Sequence, residues 1–366
     1  MLYVSLTFDH ELFLGENYTT EKAILIDTTD ELLKVLVKNN VSGTFFTDVC
    51  SIIRYNELGM HEFPNQMNKQ LKNLIRSGQD VQLHIHSNWL KSDFINGKWN
   101  FDTDSYRVQY YTPEKKTENN NWTMERIVKT GKEYLVNLLK PEDDKYSCVA
   151  FRAGGFCIQP EDKLISCLIE NDILIDSSVA PGIWSSENVN SYDFRDAPNK
   201  ELNWYISPSS GIKGINKSCS EKKLFEVPIA TTNRKLLKWI FTKKKSIDIQ
   251  PLRGSFISIA KSNFIKDEKK KNNILNRLIN FNSAQTVLSL DSLDAHILSD
   301  FVKQINKKYN CHKKDAYISV ICHPKLANDE LVNNMDRFIK EVKKIPNVSF
   351  CSIKDVYEKI KLEGKI

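Results

Sequence analysis

The chain has 366 residues, 41% of them hydrophobic, and a net charge of +6 from 52 basic and 46 acidic side chains. This length and composition fit a globular protein with one large α/β domain or two modest ones. The mild charge is spread along the chain without a basic-aromatic motif, which argues against nucleic acid as a partner. No apolar run approaches the roughly 20 residues of a membrane span.

Strand-like apolar runs alternate with helical spacings from the first residues onward. The predicted strands are 2–8, 41–47, 81–86, 146–152, 173–176, 225–229 and 316–322, and the predicted helices are 28–39, 65–77, 124–139, 161–171, 291–308, 331–344 and 352–361. Pro228 places the strand at 225–229 near a sheet edge or a strand end. The alternation favours a parallel sheet or barrel with helices packed outside it.

Two segments interrupt this alternation. Residues 91–125 are polar, rich in Asn and Thr and dotted with aromatics, which predicts an inserted loop over one face. A second insertion, at about 185–300, begins loop-rich and continues as a basic, helical-looking stretch. We therefore predict a single domain over 1–366 with two long insertions.

The basic part of the second insertion has two interpretations. Residues 234–245 carry Trp239, Ile240 and Phe241 among lysines, a composition that suits a helix lying on a membrane surface. The alternative is a solvated helix that packs its aromatic side chains on the barrel. We prefer the second interpretation, and peripheral membrane contact stays open as the first.

Compartment and redox state follow from the N-terminus and the cysteines. The N-terminus enters the first strand without the basic region, apolar stretch and cleavage site of a signal peptide. The 8 cysteines are scattered and never form a C-x-x-C pair, which argues against a disulfide framework or a zinc ribbon. We expect a cytoplasmic protein with reduced, mostly buried thiols.

Two carboxylates follow the first predicted strand. Asp9 and Glu11 lie two residues apart, so in an extended segment their side chains point the same way, while His10 points the opposite way. This spacing allows one carboxylate to bind a metal ion and the other to activate a water. Strand ends are where α/β folds place their chemistry, although a lone strand-end carboxylate is more often a turn or cap contact.

The third predicted strand ends in two histidines with the same spacing. His84 and His86 present two imidazoles on one face. Two histidines and one carboxylate form a common Zn²⁺ ligand set that leaves positions open for water and substrate. Trp89 follows closely, where it can wall a pocket or pack on a sugar face.

Two later strands also end in charged or titratable groups. Arg152 is followed by Gly154 and Gly155, where close backbone approach and free N–H groups suit a developing oxyanion. Arg152 is placed to pair with Asp9 and keep it ionised. His323 ends the last strand, and imidazole suits protonation of a leaving amine near neutral pH.

In chain order these segments resemble the motifs of the polysaccharide deacetylase (NodB-like, carbohydrate esterase 4) superfamily. The motifs are Thr7-Phe8-Asp9-His10-Glu11, His84-x-His86-x-x-Trp89, Phe151-Arg152-x-Gly154-Gly155, Ile175-Asp176-Ser177-Ser178 and Cys322-His323-Pro324. The resemblance spans essentially the whole chain outside the insertions. It implies a deformed, incomplete (β/α) barrel, one divalent metal ion such as Zn²⁺ or Co²⁺, and hydrolysis of an acetamide on an amino sugar.

The resemblance also assigns roles and reveals departures. The usual adjacent Asp-Asp pair is Asp9-His10 here, with a carboxylate displaced to Glu11, and the usual second histidine is Asn88. The ligand set we expect is therefore Glu11, His84 and His86 around Zn²⁺, with His10 or Asn88 as replacements. The catalytic expectations are Asp9 as base, His323 as acid and Arg152 as the residue that orients the base; the substrate-binding expectations are Trp89, Gly154, Gly155 and Asp176.

We expect a metal-dependent hydrolase that removes an acetyl group from an N-acetylated or O-acetylated sugar. A cytoplasmic precursor for surface glycan synthesis, nucleotide- or lipid-linked, is the expected substrate class. Two alternatives stay open: a hydrolase of the same fold that cuts a non-sugar C–N bond, and a non-catalytic sugar-binding relative, which His10 and Asn88 at usual ligand positions favour. The amidohydrolase superfamily fits less well, because its His-x-His normally lies on the first barrel strand.

Overall fold

The computed structural model describes residues 1–14, 19–102, 104–115, 121–186, 189–198, 200–215, 220–233 and 285–364. The helices within these ranges are too short or too polar to cross a membrane. Their strands form one large sheet and three separate two-stranded hairpins or pairs.

The described strands and helices are numbered in chain order. The strands are β1 Leu2–His10, β2 Thr44–Asp48, β3 Asp80–Ile85, β4 Asp93–Ile95, β5 Lys98–Asn100, β6 Ala150–Ala153, β7 Ile175–Asp176, β8 Trp184–Ser186, β9 Ser191–Asp193, β10 Trp204–Ser207, β11 Gly211–Ile215, β12 Leu224–Glu226, β13 Thr231–Asn233, β14 Gln285–Val287, β15 Ala316–Cys322 and β16 Val348–Phe350. The helices are α1 Asp27–Lys38, α2 Val49–Glu57, α3 Glu62–Arg76, α4 Met124–Leu139, α5 Asp162–Glu170, α6 Ala295–Lys308, α7 Asp329–Val342 and α8 Ile353–Leu362.

The main sheet has 10 strands in the order β11-β10-β12-β7-β6-β3-β2-β1-β15, with β16 also paired to β1. All pairs from β12 to β15 are parallel, and β10 and β11 extend the sheet in the antiparallel sense. Parallel strands need crossover connections, which the helices supply. The predicted parallel α/β architecture is confirmed.

The sheet curls into a barrel that stays incomplete between β12 and β15. The chain beyond β12 returns toward β15, where the N–H of Ala230 donates to the carbonyl of Ser319 at 2.9 Å. The Asn203 side chain spans the remaining gap, since its Nδ2 donates to the carbonyls of Glu226 (3.1 Å) and Tyr317 (2.8 Å). A side-chain amide thus replaces part of a strand ladder, and the deformed, incomplete (β/α) barrel expected from the sequence is confirmed.

Alternation along the central strands separates the barrel interior from the outer helix layer. In β3, Val81, Leu83 and Ile85 pack in the large hydrophobic core under the helices, whereas His84 bonds to the interior residues Glu11 and Arg152. A two-residue period therefore sends alternate side chains to opposite faces.

Helix α8 closes the amino end of the barrel. Its residues Ile353, Val356 and Ile360 are completely buried and pack in one cluster with Phe46 and Tyr317. Burial of such side chains contributes roughly 1.5–3 kcal/mol each. The amino end is therefore filled with apolar side chains, and the interior is open to chemistry only at the carboxyl end.

The first turn of α8 is fixed by hydrogen bonds to two strand starts. Ser352 and Asp355 form a capping box. The N–H of Ile353 donates to Thr44 Oγ1 at 2.8 Å, and the N–H of Lys354 donates to Asp80 Oδ2 at 3.1 Å.

Two local predictions differ from the structure. Helix α2 was not predicted, because Asp48 both ends β2 and caps the helix by accepting the N–H of Cys50, so no loop separates the two elements. The strand predicted at 146–152 forms a ladder only over β6. The side chain of Gln82 accepts the N–H groups of Val149 and Ala150 there, in place of a strand neighbour.

The structure describes part of each of the two predicted insertions. Residues 91–125 carry the β4–β5 hairpin and two 3₁₀ turns. Strands β10, β11 and β12 belong to the main sheet, so the segment predicted as an insertion at 185–300 contributes three strands to the barrel. Residues 234–284, including the basic segment at 234–245, lie outside the described residues.

The seven cysteines in the described ranges are free thiols.

Candidate metal centre and active site

The parallel strands bring the predicted polar residues to the carboxyl end of the barrel. Asp9 lies at the end of β1, His84 near the end of β3 and Arg152 in β6. His86 and His323 are the residues directly after β3 and β15. All five are buried or nearly so, so their charges interact in a setting of low dielectric.

Asp9 is held by Arg152. The guanidinium donates to Asp9 Oδ1 at 2.7 Å and to Thr7 Oγ1 at 2.9 Å, and its remaining donors reach Ser177 and Ser319. Burial alone raises the pKa of Asp9, but the charge of Arg152, followed by those of His84 and His323, outweighs burial and lowers it. Asp9 is therefore an ionised carboxylate with a fixed orientation.

His323 lies on the other side of Asp9. Its Nε2 is 3.6 Å from Asp9 Oδ2, and its Nδ1 lies 2.6 Å from Asp291 Oδ2. The other oxygen of Asp291 accepts the backbone N–H of His323 at 2.9 Å. Burial lowers the pKa of His323, but the charge and hydrogen bond of Asp291, together with the charge of Asp9, raise it overall. These contacts fix the ring and favour the imidazolium form.

Three donor atoms next to this pair form a candidate metal centre. Glu11 Oε2 lies 3.0 Å from His84 Nε2 and also contacts His86 Nε2. The three ligand atoms all lie within 4.8 Å of one another, and all three residues are buried. Two imidazole nitrogens and one carboxylate oxygen suit Zn²⁺ and similar divalent ions. The residues therefore fit the predicted cation.

The outer hydrogen bonds of these groups also fit a metal ligand set. His84 Nδ1 lies 2.8 Å from the carbonyl of Arg152, which fixes the ring with Nε2 facing Glu11. Burial raises the pKa of Glu11, but His86, Lys325 and hydrogen bonds from both histidines hold it well below its usual range. Glu11 is thus ionised, as a ligand must be.

Lys325 contacts the second oxygen of the same carboxylate. Its Nζ lies 2.6 Å from Glu11 Oε1 and 3.3 Å from the carbonyl of Leu12. One oxygen of Glu11 therefore faces the histidines while the other is paired with an ammonium group. Oε2 is therefore the oxygen of Glu11 that would hold a metal ion.

Asp48 supports the turn that carries His86. Its Oδ1 accepts the backbone N–H of His86 at 3.0 Å as well as that of Cys50 at 3.2 Å. Burial raises the pKa of Asp48, although the charges of His86 and His84 oppose the rise. One carboxylate thus anchors both the helix α2 and the metal-ligand turn.

The glycines after Arg152 allow close approach to the histidine. A Cβ on Gly154 would lie 2.8 Å from His86 Nδ1 and 2.5 Å from the carbonyl oxygen of Ile85. Gly155 has a positive φ of 55°, a conformation that glycine adopts at little cost. The absence of a side chain at Gly154 therefore lets the backbone after β6 pack directly against His86.

Of the two replacement ligands, the structure places His10 away from the ligand cluster and Asn88 in the turn that follows His86. His10 points into the outer layer, where Nδ1 lies 3.2 Å from Thr47 Oγ1 and Nε2 lies 3.0 Å from Gln70 Oε1. Burial lowers the pKa of His10 to about 4, so this ring is a neutral core residue. Asn88 is buried in a 3₁₀ turn at Ser87–Lys91.

Two of the predicted substrate-binding residues, Trp89 and Asp176, are buried and are not exposed in the site. Trp89 is completely buried among Tyr55, Trp99 and Phe101, so its ring presents no face to a sugar. Asp176 is also fully buried, and both of its oxygens accept hydrogen bonds from Ser178. Both residues therefore pack in the interior next to the site and are not exposed to a substrate.

Sequence reasoning missed Asp291 and Lys325. Asp291 was included in a predicted helix, but α6 begins four residues later at Ala295, after the N-cap residue Asp294. The available signal was the apolar run Val287–Leu290 that ends in a carboxylate, the same pattern as β1 with Asp9. The residue Lys325, two positions after His323, had no comparable signal, because its pairing with Glu11 depends on the fold.

Several solved structures align with nearly the whole chain. A protein assigned as a polysaccharide deacetylase from Mycobacterium smegmatis is 15% identical, with a TM-score of 0.47, and the match covers 99% of this chain and 91% of that one. Another from Pseudomonas aeruginosa PAO1 is 12% identical, with a TM-score of 0.46 and coverage of 100% and 92%. Puue allantoinase is 9% identical, with a TM-score of 0.47 and coverage of 100% and 91%.

No family model matches the sequence, and no curated protein matches it significantly. The identification of the fold therefore rests on the chain's own sheet and motifs. The incomplete parallel barrel, with the motif residues Asp9, His84, Arg152 and His323 at its carboxyl end, is the deformed, incomplete (β/α) barrel that the sequence predicts.

Proposed function

We propose that this protein is a metal-dependent deacetylase that hydrolyses the acetamide of an N-acetylated sugar. The observation that carries the proposal is the meeting of two buried acid–base pairs beside one ligand cluster. Asp9 with Arg152 and His323 with Asp291 face each other across 3.6 Å, and Glu11, His84 and His86 lie next to them.

The donor set Glu11, His84 and His86 would hold the cation, which polarises an acyl oxygen and makes a nearby water more acidic. Asp9, kept ionised by Arg152, accepts the proton of the attacking water. The water oxygen adds to the acyl carbon, and the carbonyl electron pair moves onto the acyl oxygen. In this mechanism, backbone N–H groups near Gly155 stabilise that charge.

His323 completes the reaction as general acid. Asp291 raises its pKa and fixes its ring, so Nε2 carries a proton toward the space shared with Asp9. When the C–N bond breaks, the departing nitrogen takes the bond electrons and the proton from Nε2. Acetate and a free amine are the products. An O-acetyl ester would break by the same sequence with an alcohol as leaving group.

The resemblance of the sequence motifs and the acid–base geometry together favour an acetylated amino sugar as the substrate. The same groups would also hydrolyse a non-sugar C–N bond, and that alternative differs only in the substrate. The cytoplasmic location and the nucleotide- or lipid-linked form of the sugar stay predictions from the sequence.

Acetate release tests the proposal directly. Purified protein loaded with Zn²⁺ is incubated with N-acetylglucosamine oligomers, UDP-N-acetylhexosamines and O-acetylated sugars, and with ureides and cyclic imides as a separate set. We expect release from at least one acetylated sugar and loss of release when a chelator removes the metal. Hydrolysis of only the ureide or imide set would replace the proposal by the non-sugar alternative, and a metal-loaded protein inert toward every substrate would favour the non-catalytic one.

A further inference from the structure

Tyr106, from the insertion at 91–125, lies beside His86 and beside the turn that follows β6. Its ring packs edge-on against His86, with 5.9 Å between ring centroids. A Cβ on Gly155 would overlap with the Tyr106 hydroxyl oxygen. The hydroxyl therefore lies where a side chain at position 155 would be, beside the backbone turn that faces the site.

The loop carrying Tyr106 is fixed on the histidine side. Ser87, which directly follows His86, donates its hydroxyl to the carbonyls of Ser105 (2.8 Å) and Tyr106 (3.4 Å). Tyr111 Oη donates to the carbonyl of Ser87 at 2.6 Å. The backbone on both sides of Tyr106 is thus tied to the metal-ligand turn.

The same loop is also fixed on the glycine side. Arg107 is buried and donates to the carbonyl of Gln159 and to the carbonyl and hydroxyl of Ser191. Gln109 donates to the carbonyls of Cys157 (3.1 Å) and Ile158 (2.7 Å). Tyr106 is therefore held between the turn after β3 and the turn after β6, with little freedom to move.

The hydroxyl itself is left for a ligand. Within the described ranges it makes no hydrogen bond to protein, although the ring is partly buried. Its Oη is therefore available to donate a hydrogen bond to a group that enters the site. The Tyr106 ring lies against His86, a member of the ligand cluster, so the hydroxyl is on the side of the site where the candidate ligands lie.

We propose that Tyr106 is a further catalytic residue, whose hydroxyl donates a hydrogen bond to the acyl oxygen as the tetrahedral intermediate forms. The inference rests on the proposed function. The carbonyl electron pair moves to the acyl oxygen when water adds to the acyl carbon, and that oxygen accepts from Tyr106 Oη–H and from the N–H of Gly155. The pair returns as the C–N bond breaks, and the nitrogen takes its proton from His323. A donor aimed at the developing charge acts on the transition state more than on substrate binding.

Tyr106→Phe is the test, because it removes only the hydroxyl. Loss of one oxyanion donor lowers kcat by roughly 10²–10³ in well-studied cases, so we expect a fall of about 100-fold with KM changed less than about twofold. Tyr110→Phe is the matched control on the same loop, with a ring 42% exposed, and should keep wild-type kinetics. Unchanged kcat, or a higher KM with unchanged kcat, would overturn the proposal.

A second readout needs no substrate. Acetate binds as a product analogue with an oxygen in the acyl position, and its affinity for Zn²⁺-loaded protein is measured by titration calorimetry. We expect Tyr106→Phe to weaken acetate binding about tenfold, since hydrogen bonds to charged acceptors are among the stronger ones, and Zn²⁺ stoichiometry to stay at wild-type level. Equal acetate affinity in the two proteins would overturn the role of Tyr106. A wild-type protein that hydrolysed no acetylated sugar would instead overturn the proposed function, and the acetate measurement on Tyr106 would still stand.

Discussion

Two buried aspartates lie at opposite ends of the barrel and carry opposite electrostatics. Asp9, at the carboxyl end of β1, bonds to Arg152 and faces His323, and its pKa is lowered. Asp80, at the amino end of β3, accepts only neutral donors, Thr44 Oγ1 at 2.9 Å, Gln82 Nε2 at 2.7 Å and the N–H of Lys354. Burial raises the pKa of Asp80 to about 6.

The difference shows how the fold separates structure from chemistry. The amino end is filled by α8 and holds its carboxyl group with neutral hydrogen bonds that fix the helix start. At the carboxyl end, Arg152 and His323 lie next to Asp9, and their positive charges keep this carboxylate ionised. Substitutions at one end of the barrel or the other should therefore have different effects, and the largest expected effect comes first.

Asp9→Asn should lower kcat by about 10³-fold or more, because the amide cannot accept the proton of the attacking water. Zn²⁺ stoichiometry should stay unchanged, since Asp9 is not in the ligand cluster. Asp80→Asn, at the other end of the barrel, is the control and should keep kcat within a few-fold of wild type. Acetate release and metal analysis on both proteins measure these effects, and full activity of Asp9→Asn would rule out its assignment as base.

His86→Ala should weaken Zn²⁺ binding by at least about 100-fold, because even an outer-shell partner of a metal ligand is worth roughly 10- to 100-fold in affinity. His10→Asn is the matched control, since His10 is equally buried but bonds to Thr47 and Gln70 in the outer layer. Competition with a chromogenic chelator gives both affinities. A weaker Zn²⁺ affinity in His10→Asn, with His86→Ala unaffected, would reverse the ligand assignment.

Asp291→Asn should lower kcat by about 10- to 100-fold, because the carboxylate fixes the His323 ring and stabilises its imidazolium form. The sign of the pH effect is also fixed. His323 must be protonated to act as acid, and Asp291 raises its pKa, so the variant should lose activity at lower pH on the alkaline side. A pH–kcat profile with an unmoved alkaline limb would contradict this role.

Asp80 should make stability fall as the pH rises. Its folded-state pKa of about 6 lies above the ordinary value of 3.8, so the folded protein binds more protons between these values and the contribution is lost as pH rises through 6. The loss relative to Asp80→Asn should be about 2.4 kcal/mol between pH 4 and pH 7. Urea unfolding of both chelator-treated proteins at several pH values measures it, and parallel pH curves would show that Asp80 is not held neutral.

Most of the candidate site residues could be predicted from the sequence, because side chains in a strand alternate between its two faces. Asp9, Glu11, His84 and His86 each follow from two-residue alternation at the end of an apolar run, and the same rule turns His10 outward. Arg152 and His323 follow from the rule that parallel strands end at one edge of the sheet. These residues required no knowledge of long-range contacts.

The residues that were missed depend on loops that fold back over the barrel. Asp291 was assigned to a helix, although the apolar run Val287–Leu290 before it and the N-cap residue Asp294 after it mark a later start for α6. Tyr106 reaches His86 only through the hydrogen bonds of Ser87 and Arg107, which no local pattern encodes. Trp89 is adjacent to the site in sequence, but the aromatic side chains of the insertion cover its ring completely.

The central claim is that Glu11, His84 and His86 hold one divalent cation beside Asp9 and His323. Anomalous diffraction at the zinc edge from crystals grown with Zn²⁺ tests it most directly. The account predicts a single strong peak within bonding distance of Glu11 Oε2, His84 Nε2 and His86 Nε2. A zinc peak at another site, with these three side chains still hydrogen-bonded to one another, would contradict it.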